Sequence, residues 1–143
     1  MRRIVTSCLA LAMAFGGVAL MAQKVTTVPE LDTTMKRVGE NQGATNKAIM
    51  SGQFADARKT LAVVRQSLAD AENFWVVNKK ADAVQMSKDT LANLAKIDAM
   101  LAAPAPDGQA LTAAMKGAGC GACHKQYREQ LPDMTYQLKP GTI

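Results

Sequence analysis

From Phe54 to Trp75 the chain sets an apolar residue at every third or fourth position without a break: Phe54, Ala57, Leu61, Val64, Leu68, Ala71 and Trp75. In a strand these side chains would fall on both faces, whereas in an α-helix they form one stripe, so the segment is committed to helix and to burial against another apolar surface. The spacing predicts a helix over about Phe54 to Val77. Asn78 to Lys80 is a short polar turn, and a turn that short makes the next helix fold back antiparallel. That helix is expected from about Ala81 to Ala103, with Val84, Leu91, Leu94, Ile97 and Leu101 inward.

Upstream, Thr27-Val28-Pro29-Glu30 reads as a helix start: Thr27 as N-cap, Glu30 reaching back to close a capping box, and Pro29 in the first turn where its missing N–H costs nothing. Leu31, Met35, Val38 and Ile49 follow on one face, with Gln42 and Thr45 between the last two, and Ser51-Gly52 ends the helix. Pro104-Ala105-Pro106-Asp107-Gly108 is the clearest break, with Asp107 available as an N-cap. A fourth helix is expected to carry Leu111, Met115 and Ala118 and to run on until it stops before Pro132; the tail from Asp133 to Ile143 reads as irregular, and no strand pattern is visible. The expected fold is all-α: an up-down-up-down antiparallel four-helix bundle.

Within the fourth helix lies Cys120-Gly121-Ala122-Cys123-His124, the C-x-x-C-H attachment sequence for a c-type haem. Residues three apart share a helix face, so Cys120 and Cys123 can each add a thiol across one haem vinyl group. His124, one turn beyond Cys120, is placed to give the iron its proximal nitrogen. It is the one histidine in the chain. Zinc would need four ligands, and apart from Cys8 no other Cys or His could supply them; a thioredoxin-like dithiol would need a βαβ context that is not visible. Gly117, Gly119 and Gly121 lower helix propensity here, which suits a flat ring approaching the backbone.

At 143 residues the chain is one domain at most. Residues 1–22 read as a secretory signal peptide: Arg2 and Arg3 precede an apolar run from Ile4 to Leu20, which ends in small residues with cleavage expected after Ala22. The run is short and interrupted by Gly16-Gly17, so an uncleaved anchor is the weaker reading. Residues 23–143 are then the mature domain, exported to the periplasm, with no stable membrane insertion expected. Removing two arginines from the 17 basic residues and none of the 12 acids leaves a small excess of positive charge. Nucleic-acid binding, which needs a clustered basic face, is not supported. The aromatic content of 4% leaves a core of Ala, Leu, Val and Met, which a haem would help to fill.

With no second histidine, the sixth iron position is open or filled by another residue. In an up-down-up-down bundle the start of the first helix and the end of the fourth share one end of the molecule. Met35 and His124 each fall roughly 9–10 Å from that end at ~1.5 Å per residue, so Met35 matches the depth of the motif. It is also on the inward face, which makes it the candidate distal ligand; its alternative is plain packing over an open iron. Met50, Met100 and Met115 read as core filler, Met86 falls off its helix's apolar face, Met134 would need the tail to fold back, and Lys36 and Lys125 read as solvated.

These residues together resemble the class II c-type cytochromes, the cytochrome c′ family, over essentially the whole mature chain. The carrying segments are Cys120-Gly121-Ala122-Cys123-His124-Lys125-Gln126-Tyr127-Arg128, similar to that family's C-x-x-C-H-x-x-Tyr-Arg, and Met35-Lys36-Arg37-Val38-Gly39. The resemblance implies a four-helix bundle with one covalent haem c near one end, often paired as a homodimer. Members with a methionine at the position of Met35 look like low-spin electron carriers that serve redox partner proteins; those without it bind small gases. The resemblance also puts Arg128 near the haem edge and the proximal histidine, against the alternative of a solvated cation in the last helical turn. Leu31-Asp32 stands where many relatives have an arginine-containing segment, a departure from the gas-binding branch. The expected function is one-electron transfer with His124 and Met35 as axial ligands and no enzymatic activity. The alternatives are a five-coordinate protein binding nitric oxide or carbon monoxide, and a subunit of a larger redox complex.

Overall fold

The computed structural model describes residues 24–143; the expected signal peptide, with Cys8, lies outside the described residues. The described chain is mostly helical. α1 spans Val28–Met50, α2 Phe54–Val77, α3 Ala81–Leu101, α4 Gly108–Lys116 and α5 Cys120–Tyr127, followed by a hairpin of β1, Arg128–Gln130, and β2, Tyr136–Leu138. No helix among the described residues is long and apolar enough to cross a membrane.

The local signals explain the starts. The Thr27 side chain accepts from Glu30 N, and the Glu30 carboxylate accepts from Thr27 N at 3.0 Å, closing the capping box of α1. Asp107 accepts from Gln109 N and Ala110 N and so caps α4. α2 packs against α1 and α3, and α4 packs against both α1 and α3. The direction of each helix follows from which residues meet. The end of α1 (Ala48, Ile49) is buried with the start of α2 (Ala57, Leu61), the end of α3 (Leu94, Ile97, Leu101) and α4 (Leu111, Met115). At the other end Leu31 of α1 meets Ala71, Phe74 and Trp75 of α2, Ala83 of α3 and Tyr127 of α5.

Several expectations need correction. The inward face of α3 is Ala83, Ser87, Thr90, Leu94, Ile97 and Leu101, not one led by Val84 and Leu91, which are half-buried. The spacing is still alternately four and three, but two of its positions hold hydroxyl residues that an apolar pattern skips. Thr90 satisfies its hydroxyl on the Met86 carbonyl at 2.8 Å, so it is buried without an orphaned donor. Second, the fourth helix is two: α4 ends on Gly117, and Gly119, at φ +103°, caps α5 in a left-handed conformation. That backbone is open to glycine and strained for any other residue.

Third, the helix does not run to Pro132, and the tail is not irregular. Arg128 is extended, and β1 pairs antiparallel with β2 in the register Arg128↔Leu138, Glu129↔Gln137, Gln130↔Tyr136. The turn is built locally: Asp133 accepts from Thr135 N and Thr135 Oγ1, Met134 takes φ +67°, and Leu131 N donates to Thr135 O. Met50, expected as core filler, is 80% exposed at the end of α1, whereas Met115 is buried and Met100 is partly so. Met86, expected off the apolar face, packs at the edge of the second cluster.

Candidate functional site

α5 carries the whole motif. Its first residue, Cys120, follows Gly119 directly, and a side chain added at Gly119 would place Cβ 3.1 Å from Thr90 Oγ1 of α3. The glycine therefore lets α5 begin hard against α3. After this turn the chain still packs on α3 but has no comparable backbone packing on α1, which α4 does touch. The turn at Gly117–Gly119 thus carries the backbone of the motif helix away from that of α1, leaving side-chain contact such as Leu31 with Tyr127.

The interior divides at the same level. One buried cluster runs through Val38, Leu61, Val64, Leu94 and Met115, with Cys120 against its edge; the other contains Leu31, Phe74, Trp75 and Tyr127, with Cys123 against its edge. Met35 is half-buried and packs against both. The two cysteines and Met35 therefore border the same division of the core. His124 is half-buried on α5. Beside Cys120, a groove of about 360 Å³ between α1 and the α4–α5 turn is lined by Gln42, Asn46, Met50, Met115, Lys116 and Cys120 among others. Neither Cys123, His124 nor Met35 lines it, so this groove gathers only one of the expected site residues.

The thiols are free and half-buried. Burial pushes the Cys120 thiol up, and Cys123 is pushed up to about 11 by burial first and then by the negative charges of Asp82 and Cys120. Such thiols stay protonated at neutral pH, the opposite of the low-pKa thiolate that a dithiol oxidoreductase needs. His124 is lowered, first by burial and then by the Arg128 charge, so its imidazole is neutral at pH 7 and has a lone pair to give a metal. Arg128 is at the end of α5, its guanidinium 3.9 Å above the Tyr136 ring, held by the hairpin and not in a last helical turn. Lys36 pairs with Asp32 at 2.7 Å on the surface. Met134 is 71% exposed at the hairpin tip, where its sulfur accepts from Gln130 Nε2.

These donors are of the kinds that a covalent haem would use. Among the described residues no three His, Cys, Asp or Glu side chains converge to hold a metal ion by themselves, but a haem brings four nitrogen ligands in its own ring and asks the protein for axial donors only. A neutral imidazole, two protonated thiols on one helix and a thioether packed against both clusters are groups of the kind it would use.

One member of the site gives no signal in the sequence. Asp82, in the first turn of α3, accepts from Tyr127 Oη and from Gln126 Nε2 at 2.7 Å. The Tyr127 hydrogen bond holds the Asp82 carboxyl below the usual carboxylate range, while burial and then Asp82 push Tyr127 up to about 12. Asp82 and Tyr127 are far apart in the chain, and no local pattern links them. Comparison with family models, with curated proteins and with solved structures finds no match in any of the three.

Proposed function

We propose that this chain is a periplasmic c-type cytochrome that carries single electrons, with haem c attached through Cys120 and Cys123, His124 as proximal ligand and Met35 as distal ligand. The observation that carries the reading is the C-x-x-C-H motif on α5, whose two cysteines border the division of the core that Met35 spans. The neighbour relations of α1, α2, α3 and α4–α5 support an up-down-up-down four-helix bundle around it. Export follows from the reading of residues 1–22 as a signal peptide.

When bound, the haem supplies reversible one-electron chemistry between ferric and ferrous iron. The residues of the chain do the rest. Cys120 and Cys123 give their sulfurs as thioethers and fix the ring to α5. His124 offers a nitrogen kept neutral by burial and by Arg128. Met35 offers a soft thioether, which favours the ferrous state and raises the potential. Leu31, Phe74 and Trp75 keep water from the second cluster.

The test is haem staining after acid-acetone extraction and denaturing electrophoresis. Stain is expected to stay with the wild-type chain and to be lost in the double variant Cys120→Ser, Cys123→Ser; a double variant that keeps covalent haem overturns the reading.

A further inference from the structure

Asp82 belongs to no motif, yet two side chains of α5 end on it. Tyr127 Oη and Gln126 Nε2 both donate to Asp82 Oδ2, and Gln126 Nε2 lies 3.3 Å from Tyr127 Oη, so the three form one cluster. Tyr127 cannot turn to another partner without leaving the core: it is 8% exposed, and its ring lies 4.9 Å from that of Trp75. The carboxylate is therefore fixed in place by neutral donors. Among the described residues no Lys or Arg pairs with it, whereas Asp56 has Lys59, and Asp98 has Arg58 and Arg65. What remains is a negative charge with no ionic partner among the described residues, held by these hydrogen bonds and by the first turn of α3. Cys123 precedes Tyr127 by one helical turn, so the two share a face of α5, and both pack in the same cluster.

We propose that Asp82 is a positioning residue for the redox site, whose two hydrogen bonds hold α5 on α3 and whose fixed charge lowers the reduction potential of the group held by Cys120, Cys123 and His124. This rests on the cytochrome reading. The sign follows from electrostatics: reduction adds an electron, and a nearby negative charge disfavours that addition. Asp82 is exposed on its outer side, so solvent and salt screen the effect and keep it modest.

The experiment is a redox titration of the haem-loaded protein. Asp82→Asn keeps an acceptor oxygen for Tyr127 and removes the charge. At a fixed solution potential the ratio of ferrous to ferric protein is expected to rise threefold to tenfold, which is about 30 to 60 mV for a one-electron couple. The shift should shrink as ionic strength rises. Asp56→Asn, at the start of α2, is the charge control and should leave the midpoint where it was. Tyr127→Phe keeps the charge and loses one hydrogen bond, so it should lower the melting temperature and move the midpoint less than Asp82→Asn does.

An Asp82→Asn protein that carries haem with an unchanged midpoint overturns the proposal, as does an equal shift in Asp56→Asn. Should the Asn variant not fold, Asp82→Ser carries the same measurement. Should that fail too, Gln126→Lys, which sets an ammonium beside the carboxylate, must raise the midpoint or the proposal falls. Wild-type protein without covalent haem defeats the cytochrome reading instead. The melting temperatures of Asp82→Asn and Tyr127→Phe then still report whether the cluster holds α5.

Discussion

The same substitution at two glycines two residues apart should have opposite effects. Gly119→Ala puts a methyl group on a backbone at φ +103° and 3.1 Å from Thr90 Oγ1. An L-residue in such a conformation costs about 1–3 kcal/mol. The Thr90 hydroxyl cannot easily give way, because it donates to the Met86 carbonyl at 2.8 Å and the residue is 5% exposed. Against this, the lost freedom of the unfolded chain returns roughly 0.4–1 kcal/mol. The net is a loss of about 1–2 kcal/mol, or roughly 4–8 °C in melting temperature for a domain of this size. Gly121→Ala meets nothing within 4 Å and stands in the first turn of α5, where Ala is the better helix former by up to about 1 kcal/mol. It should melt up to roughly 4 °C higher than wild type.

The assay is thermal unfolding followed by circular dichroism, with both variants and wild type prepared alike. Adding Thr90→Ala to Gly119→Ala should recover part of the loss, since it removes the contacted oxygen; what stays lost is the backbone term. If Gly119→Ala melts with wild type, or both alanines move the melting temperature the same way, then neither the left-handed turn nor its contact with Thr90 sets the position of α5.

Met35→Leu conserves volume and removes the thioether, so the protein should stay folded while its oxidised spectrum turns from low-spin to high-spin and carbon monoxide binds faster; a wild type already high-spin and quick to bind carbon monoxide makes the gas-binding alternative the better reading. Ser67 is buried with its hydroxyl unpartnered, and Ser67→Ala should stabilise by about 1 kcal/mol in urea denaturation, a result that an equal or lower midpoint would contradict. Tyr127 is raised to about 12, so unfolding releases its proton in the alkaline range and stability should fall as pH rises from about 10, its ordinary value, through the folded value. Asp82 is lowered, so its contribution is present above the ordinary carboxylate range and is lost as pH falls through its folded value. Tyr127→Phe should flatten the alkaline loss relative to wild type in denaturation curves taken at several pH values; parallel curves would remove the pair from the account.

The parts of the fold legible in the sequence are those that a local pattern encodes. Thr27 with Glu30, and Asp107 before Gly108, are helix starts because their side chains reach N–H groups two or three residues on. The stripe from Phe54 to Trp75 needs no tertiary information to be a helix. Ser87 and Thr90 were hidden because their burial depends on the hydroxyl bonding back into its own helix, or fitting among its neighbours, and not on hydropathy. The break at Gly119 had a signal in Gly117, Gly119 and Gly121, but propensity alone does not say which glycine turns left-handed; contact with Thr90 does. The hairpin pairs strands of three residues, too short for alternation to stand out, although Pro132-Asp133 is a turn signal. In the candidate site, the motif residues were legible from their spacing. Asp82 was not, because its hydrogen bond to Tyr127 joins two helices.

These separate devices act on one short helix. α5 lacks the close backbone packing on α1 that α4 has, and eight residues are too few to hold a helix in place by propensity. Its start is fixed where Gly119 meets Thr90, with Asn93 Nδ2 donating to Ala118 O at 3.4 Å just before. Its end is fixed where Gln126 and Tyr127 meet Asp82. Its last carbonyls are taken by the hairpin, Lys139 N donating to Tyr127 O at 2.9 Å and Lys139 Nζ to Lys125 O at 2.7 Å. Both ends of α5 are thus fastened to α3, while the hairpin closes its C-terminus. The face carrying Cys120 and Cys123 is held toward the divided core by contacts at both ends of α5, so the two half-buried thiols keep their register on a short helix.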